Sequence, residues 1–107
     1  MNKRDRKAAR KALDKAHERE LERELQALHE AFRQWEEKEI DCWELKDRIH
    51  RFHDGPSREL YKRYCMGSEE AALAMTLANG VLRDNEVPAS LYESLRELIE
   101  SFRNDSK

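Results

Sequence analysis

Large apolar residues recur every three or four positions along the first third of the chain. Their successive spacings are 4, 3, 4 and 3, which is the pattern of a coiled-coil seam. Neither Gly nor Pro occurs over residues 5–38, so the pattern predicts one long helix there, with a weaker stripe of Ala9, Ala12, Leu13 and Ala16 upstream. The residues of the seam are Leu21, Leu25, Leu28, Phe32 and Trp35.

The next helix has a clear start signal. Asp41 is placed to cap it, with Glu44 three residues later and an apolar pair, Ile40 and Leu45, on either side of the cap. We expect the Gly55–Pro56 pair to stop or sharply turn this helix, and Pro56 to be the first residue of a third helix.

Two further helices follow. Gly67 and Ser68 read as the end of the third helix and the cap of the fourth, which is apolar on nearly all sides over 71–78 and is therefore expected to be the buried central element. Asn79 and Gly80 end it. The last helix starts at Pro88 or at Ser90, and its apolar face is Leu91, Leu95, Leu98, Ile99 and Phe102.

The fold class is therefore all-α, with four to five helices: a long N-terminal helix followed by a small helical bundle. A length of 107 residues fits a single domain, 1–107, in which we expect 1–16 to form a basic arm that protrudes or frays and 104–107 to form a frayed tail. No apolar run follows the basic N-terminus, so no secretory signal is expected, and no stretch is apolar enough to span a membrane. We expect a cytoplasmic protein.

Composition and charge bear on association. Leu, Ile, Val and Phe number only 20, a thin core for this length, and a 34-residue helix would extend roughly 50 Å. Residues 1–16 carry net charge +5 and residues 17–47 carry −6, although the whole chain carries −2. The thin core and segregated charge favour a homodimer whose interface is the five-residue seam, acting as an interaction or adaptor module with no cofactor.

Histidine and cysteine supply the candidates for chemistry. His50 and His53 are three residues apart on the second helix, and a metal site would recruit Cys42, Asp54 and Cys65. The alternative is that the histidines flank a buried Ile49 and Phe52 and that the cysteines are small packing residues with free thiols.

A ribonuclease-like pair is a second alternative. Arg48 would stabilise a phosphate and His53 would transfer protons, although a chain with 21 basic residues matches such spacings by chance. Nucleic-acid binding by the basic N-terminus is a third, and it is not favoured because no aromatic residue interleaves with the basic ones. Its candidates are Lys3, Arg4, Arg6, Lys7, Arg10 and Lys11.

Two tryptophans flank the predicted turn between the first two helices. We expect Trp35 and Trp43 to pack in the core, and the alternative is that they, with Tyr61 and Tyr64, mark a docking surface for another protein.

Overall fold

The computed structural model describes residues 2–105 and is all-α, as predicted, with a long N-terminal helix and shorter helices packed together. A π-helical segment, His53–Ser57, joins the second and third α-helices, and a short 3₁₀ turn, Asp84–Glu86, precedes the last. The α-helices are α1 (Lys3–Glu36), α2 (Cys42–Phe52), α3 (Arg58–Cys65), α4 (Glu69–Ala78) and α5 (Ala89–Asp105).

The main core lies against the N-terminal half of α1. Ala9, Leu13 and Ala16 are fully buried there, because small side chains let α4 approach α1 closely. α4 is the central element, as its sequence predicts, and Leu73 and Leu77 on it are almost completely buried. The weaker apolar stripe of the sequence therefore forms the core contact, and residues 3–16 are a helical part of the folded unit.

The two predicted helix starts with capping side chains are confirmed. The carboxylate of Asp41 accepts from the amide of Glu44 at 2.8 Å, and the hydroxyl of Ser68 accepts from the amide of Ala71 at 3.2 Å. The predicted end of α4 is also confirmed, since Asn79 caps it and Gly80 takes a positive φ of 83°.

α2 ends at Phe52, close to the predicted stop, but the prediction that Pro56 is the first residue of the third helix is wrong. The backbone stays helical from Phe52 and His53 through to Ser57 and Arg58, and Pro56 lies inside the π-helical segment. A π-turn widens the helix, which accommodates a residue that has no amide hydrogen to donate. α2 and α3 consequently form one distorted helical run, and α3 begins at Arg58.

Two other termini differ in detail. Among residues 2–105, Gly80 is the only glycine with a positive φ, so Gly67 does not provide a left-handed end for α3. α5 begins at Ala89 after Pro88, whose carbonyl accepts from Tyr92 at 3.0 Å. Ser90 does not cap it; its hydroxyl instead donates to Asp5 of α1 at 3.2 Å.

Several residues expected inside are exposed. Trp43 is 68% exposed and Trp35 42%, so the expectation that both pack in the core is wrong. Cys42 and Cys65 are exposed free thiols rather than packing residues. Leu98 lies at the edge of the apolar face of α5 and is 37% exposed, whereas Leu91, Leu95 and Ile99 are buried as predicted.

The chain itself covers α1 at both ends. α3, α4 and α5 pack along its N-terminal half, and α2 folds back beside its C-terminal half after the turn at 37–41. The longest dimension of the molecule, 52 Å, is the length of this helix. Intramolecular contacts thus cover more of α1 than the thin core suggests, but they do not cover all of its apolar surface.

Candidate interaction surface

The predicted seam residues lie mostly on the outside of α1. Leu25 is 44% exposed and Phe32 37%, while Leu21 packs partly on the main core and Leu28 is half-buried. Together with Trp35 they form a line of large apolar side chains along the C-terminal half of α1, which we call the apolar stripe. Exposed apolar residues scattered singly need no explanation, but several of them along one helix form a candidate interaction surface.

The stripe lies beside α2 rather than under it. Ala31 is buried where α2 crosses α1, and successive residues turn by about 100° around a helix, so Phe32 points to one flank of that contact and Gln34 to the other. The guanidinium of Arg48 donates to Gln34 at 2.7 Å and so marks the flank away from the stripe. Ile49 is 39% exposed, so the interpretation in which it is buried between the histidines is wrong; it lies on the opposite flank of α2 and extends the stripe.

The two long edges of this surface carry opposite charge. Along the outer edge of α1, on the far side of the stripe from α2, lie the exposed carboxylates of Glu22 and Glu36, and the exposed imidazole of His29 lies between them. Along the α2 edge lie Lys46 and the imidazole of His53, both exposed. The ammonium group of Lys46 lies over Trp43, 5.8 Å from the ring centroid. The described residues form twelve intramolecular ion pairs, and none of these pairs includes Glu22, Glu36, Lys46 or His53.

Between α1 and α2 lies an open groove of about 370 Å³, and Leu28 of the stripe is among the residues that line it. On its α2 side, Glu44 accepts from Arg48 at 3.1 Å and from Arg51 at 3.2 Å. The hydrogen bond from Arg48 is the largest cause of a lowered pKa at Glu44, so the carboxylate is held ionised against its two arginines. The charges of Glu44, Arg48 and Arg51 are therefore already paired within α2, and Arg48 is occupied by structural contacts.

The structure does not bring Arg48 and His53 together. His53 borders a different depression, over the π-helical segment, whose other lining residues are Asp54, Ser57, Arg58 and Tyr61. General acid–base catalysis beside a phosphate-stabilising group needs both side chains at one reacting centre. The arrangement provides no such centre for the Arg48–His53 pair.

The metal-site candidates are also spread out. Cys42 is the first residue of α2 and Cys65 the last of α3, while His50, His53 and Asp54 lie between them. Within residues 2–105, no three His, Cys, Asp or Glu side chains form a group that would hold a metal ion. A zinc site needs three or four converging ligands.

The basic N-terminal residues lie on the first turns of α1, on the side away from the core. Five of the six candidates are exposed, whereas Arg10 donates to Asp14 at 2.9 Å, to Glu69 at 3.4 Å and to the carbonyl of Tyr64 at 3.3 Å. Arg10 therefore ties α1 to α3 and α4. The exposed residues are Lys3, Arg4, Arg6, Lys7 and Lys11.

Two polar networks that position α1 were not predicted from the sequence. Arg19 donates to Glu86 at 2.8 and 2.6 Å and to the Val81 carbonyl at 2.9 Å. The hydrogen bond from Arg19, followed by one from the Arg83 amide, lowers the pKa of Glu86 well below its ordinary value. The partners are 67 residues apart, so no local spacing signals the pair.

The second network joins α1 to α3. The hydroxyl of Tyr64 donates to Glu20 at 2.6 Å, Arg63 donates to the same carboxylate at 3.1 Å, and the Tyr64 ring stacks on His17 with centroids 5.0 Å apart. Burial, then the hydrogen bond to Glu20, raises the pKa of the Tyr64 hydroxyl, so it stays a donor. Both networks fix α1 on the bundle and leave its apolar stripe facing outward.

Comparison with protein-family models, with curated proteins and with solved structures finds no significant match to this chain. Among the helices of residues 2–105, none combines the length and the apolar character that crossing a bilayer requires.

Proposed function

We propose that this protein is a self-associating helical module whose apolar stripe pairs with the stripe of a second copy. The single observation that supports this is the line of large apolar side chains on the C-terminal half of α1, of which Leu25, Phe32 and Trp35 are exposed, extended by Ile49 of α2. Its spacing matches a helix-pairing seam, and pairing would remove from water apolar area that the monomer leaves exposed.

A second copy is the occupant because the surface has unpaired charges of opposite sign on its two edges. Glu22 and Glu36 on one edge complement the charge of Lys46 and the N–H donor of His53 on the other, so a two-fold related copy offers the partners that each edge lacks. A dimer of this kind would act as an interaction or adaptor module in the cytoplasm. The two exposed free thiols fit a reducing compartment of that type.

The test is the mass of the protein in solution across a dilution series, measured by light scattering after size exclusion. The wild type is expected to show a dimer that dissociates on dilution. The Leu25→Ser/Phe32→Ser double variant is expected to be a folded monomer, because anchor residues at an interface are each worth more than about 1 kcal/mol, so dimerisation should weaken roughly tenfold or more.

The matched control is Leu98→Ser, which removes an equally exposed apolar side chain from α5, away from the stripe. It is expected to dimerise as the wild type does, and circular dichroism should show unchanged helix content in all three proteins. A wild type that stays monomeric at every concentration would overturn the proposal, as would equal weakening by Leu98→Ser.

A further inference from the structure

We infer that the two copies pair with their α1 helices parallel and in register. This inference rests on the proposed self-association and adds the orientation of the partner. The observation behind it is the charge polarity of the surface, which has a basic edge formed by α2 and an acidic edge formed by α1, on either side of the apolar stripe.

Only one two-fold axis matches these edges. If the axis runs parallel to α1, the basic edge of each copy lies against the acidic edge of the other, and the two α1 helices are parallel. If the axis instead lies across the surface at a right angle to α1, each basic edge meets the other basic edge, each acidic edge meets the other acidic edge, and the helices are antiparallel. Like charges placed against each other select against that arrangement.

The levels of the charges along the helix agree with the parallel arrangement. α2 returns beside α1 from the turn at 37–41, so Lys46, four residues after the start of α2, lies near the level of Phe32, four residues before the end of α1. Glu36 of the second copy would then lie about one helical turn, roughly 6 Å, along the axis from Lys46. A lysine side chain spans that offset.

The second pair is at the other end of the surface. His53 follows α2 directly and lies near the level of Leu25, and Glu22 of the second copy is three residues from that level. In the two-fold dimer each of the two pairs occurs twice. Antiparallel pairing would instead bring Glu22 of one copy beside Glu36 of the other, so that carboxylates face carboxylates, with the exposed His29 of each copy between them.

Disulfide trapping separates the two orientations. In a Cys42→Ser/Cys65→Ser background, Leu25→Cys places one thiol in the stripe, and in a parallel in-register pair that thiol faces its own counterpart. Oxidation is expected to give a covalent homodimer, because facing seam positions bring Cα atoms within the 4.4–6.8 Å that a disulfide requires. Antiparallel pairing would give little homodimer and would cross-link Leu25→Cys mainly to a Phe32→Cys chain mixed with it, which would overturn the inference.

Charge reversal is a second test. Lys46→Glu is expected to weaken dimerisation roughly threefold or more, since two ion pairs become two repulsions, and the Lys46→Glu/Glu36→Lys double variant is expected to restore it. Lys11→Glu, at an exposed lysine far from the stripe, is the matched control and should leave dimerisation unchanged. Failure of the double variant to recover would contradict the parallel register.

The outcomes also separate the inference from the function on which it rests. If the wild type is monomeric by light scattering, self-association itself is refuted. If the wild type is dimeric but the mixed Leu25→Cys and Phe32→Cys chains cross-link in preference to Leu25→Cys alone, only the parallel orientation is refuted.

Discussion

Truncation of two leucines of the same helix is expected to change the stability of the fold by very different amounts. Leu13 is fully buried against α4 and α5, whereas Leu25 is 44% exposed on the apolar stripe. Leu13→Ala removes a side chain from a close-packed site, and such changes cost about 2.7–5 kcal/mol because a cavity remains. Against a total stability of about 5–15 kcal/mol, that is a large fraction of what holds the chain folded.

The expected change in melting temperature follows from the size of the chain. A domain of about this length loses roughly 4 °C per kcal/mol, so Leu13→Ala is expected to melt about 10–20 °C below the wild type. Leu25→Ala leaves no enclosed cavity in the monomer, and at concentrations where the protein is monomeric it should cost less than about 1 kcal/mol.

Urea denaturation followed by circular dichroism, at one low and one high protein concentration, measures both effects. The cost of Leu13→Ala should be the same at the two concentrations, because the contact is intramolecular. The cost of Leu25→Ala should grow with concentration if the stripe pairs, since binding stabilises the folded state by mass action. Two results would refute the assignment of core and surface. One is a Leu13→Ala variant with nearly wild-type stability. The other is a Leu25→Ala variant that, at low protein concentration, loses as much stability as Leu13→Ala does.

Three further predictions concern the polar contacts. Asp41→Ala should lower the unfolding free energy by about 1 kcal/mol in urea titrations, and Asp41→Asn should preserve it, because both Asp and Asn accept from the helix amides. Tyr64→Phe should cost about 1–3 kcal/mol in the same assay by removing the donor to the Glu20 carboxylate, and an unchanged midpoint would show that Arg63 alone satisfies that group. The pKa of Glu86 is lower in the folded chain than in the unfolded chain, so the ionised carboxylate adds to the unfolding free energy above the unfolded value, near 4.5. This contribution is lost as the pH falls toward the folded value. Glu86→Gln should therefore make stability fall less steeply with decreasing pH, which a series of melting curves from pH 7 downward measures.

Local chemistry made parts of the fold predictable. Asp41 and Ser68 were recognised as helix caps because a short side-chain oxygen before a helical run has one favoured use, and Gly80 because only glycine takes a positive φ at little cost. These signals act within three or four residues. The same reasoning failed at Pro56, where the proline rules describe an α-helix and the chain instead widens into a π-turn that tolerates the missing amide.

The candidate sites depended on long-range geometry, and there the sequence was a poor guide. Spacing alone placed Arg48 and His53 five residues apart, yet Arg48 turns toward Gln34 and Glu44 while His53 borders another depression. The Arg19–Glu86 bond joins residues 67 apart and left no trace in any local pattern. Contacts of that kind depend on how helices pack, which single-sequence periodicity does not encode.

The two halves of α1 make different contacts, which explains why the residues of its strongest apolar pattern do not form its main core contact. Where α4 packs on α1, the side chains on α1 are mostly alanine, since close approach of two helices leaves no room for larger ones. Large apolar residues were thus less informative about the core than the weaker alanine stripe beside Leu13. Leu25, Phe32 and Trp35, farther along α1, remain exposed, and apolar area left in water has a cost in free energy. Pairing with a second copy would remove that cost, which is why the least covered part of the longest helix is the surface to test first.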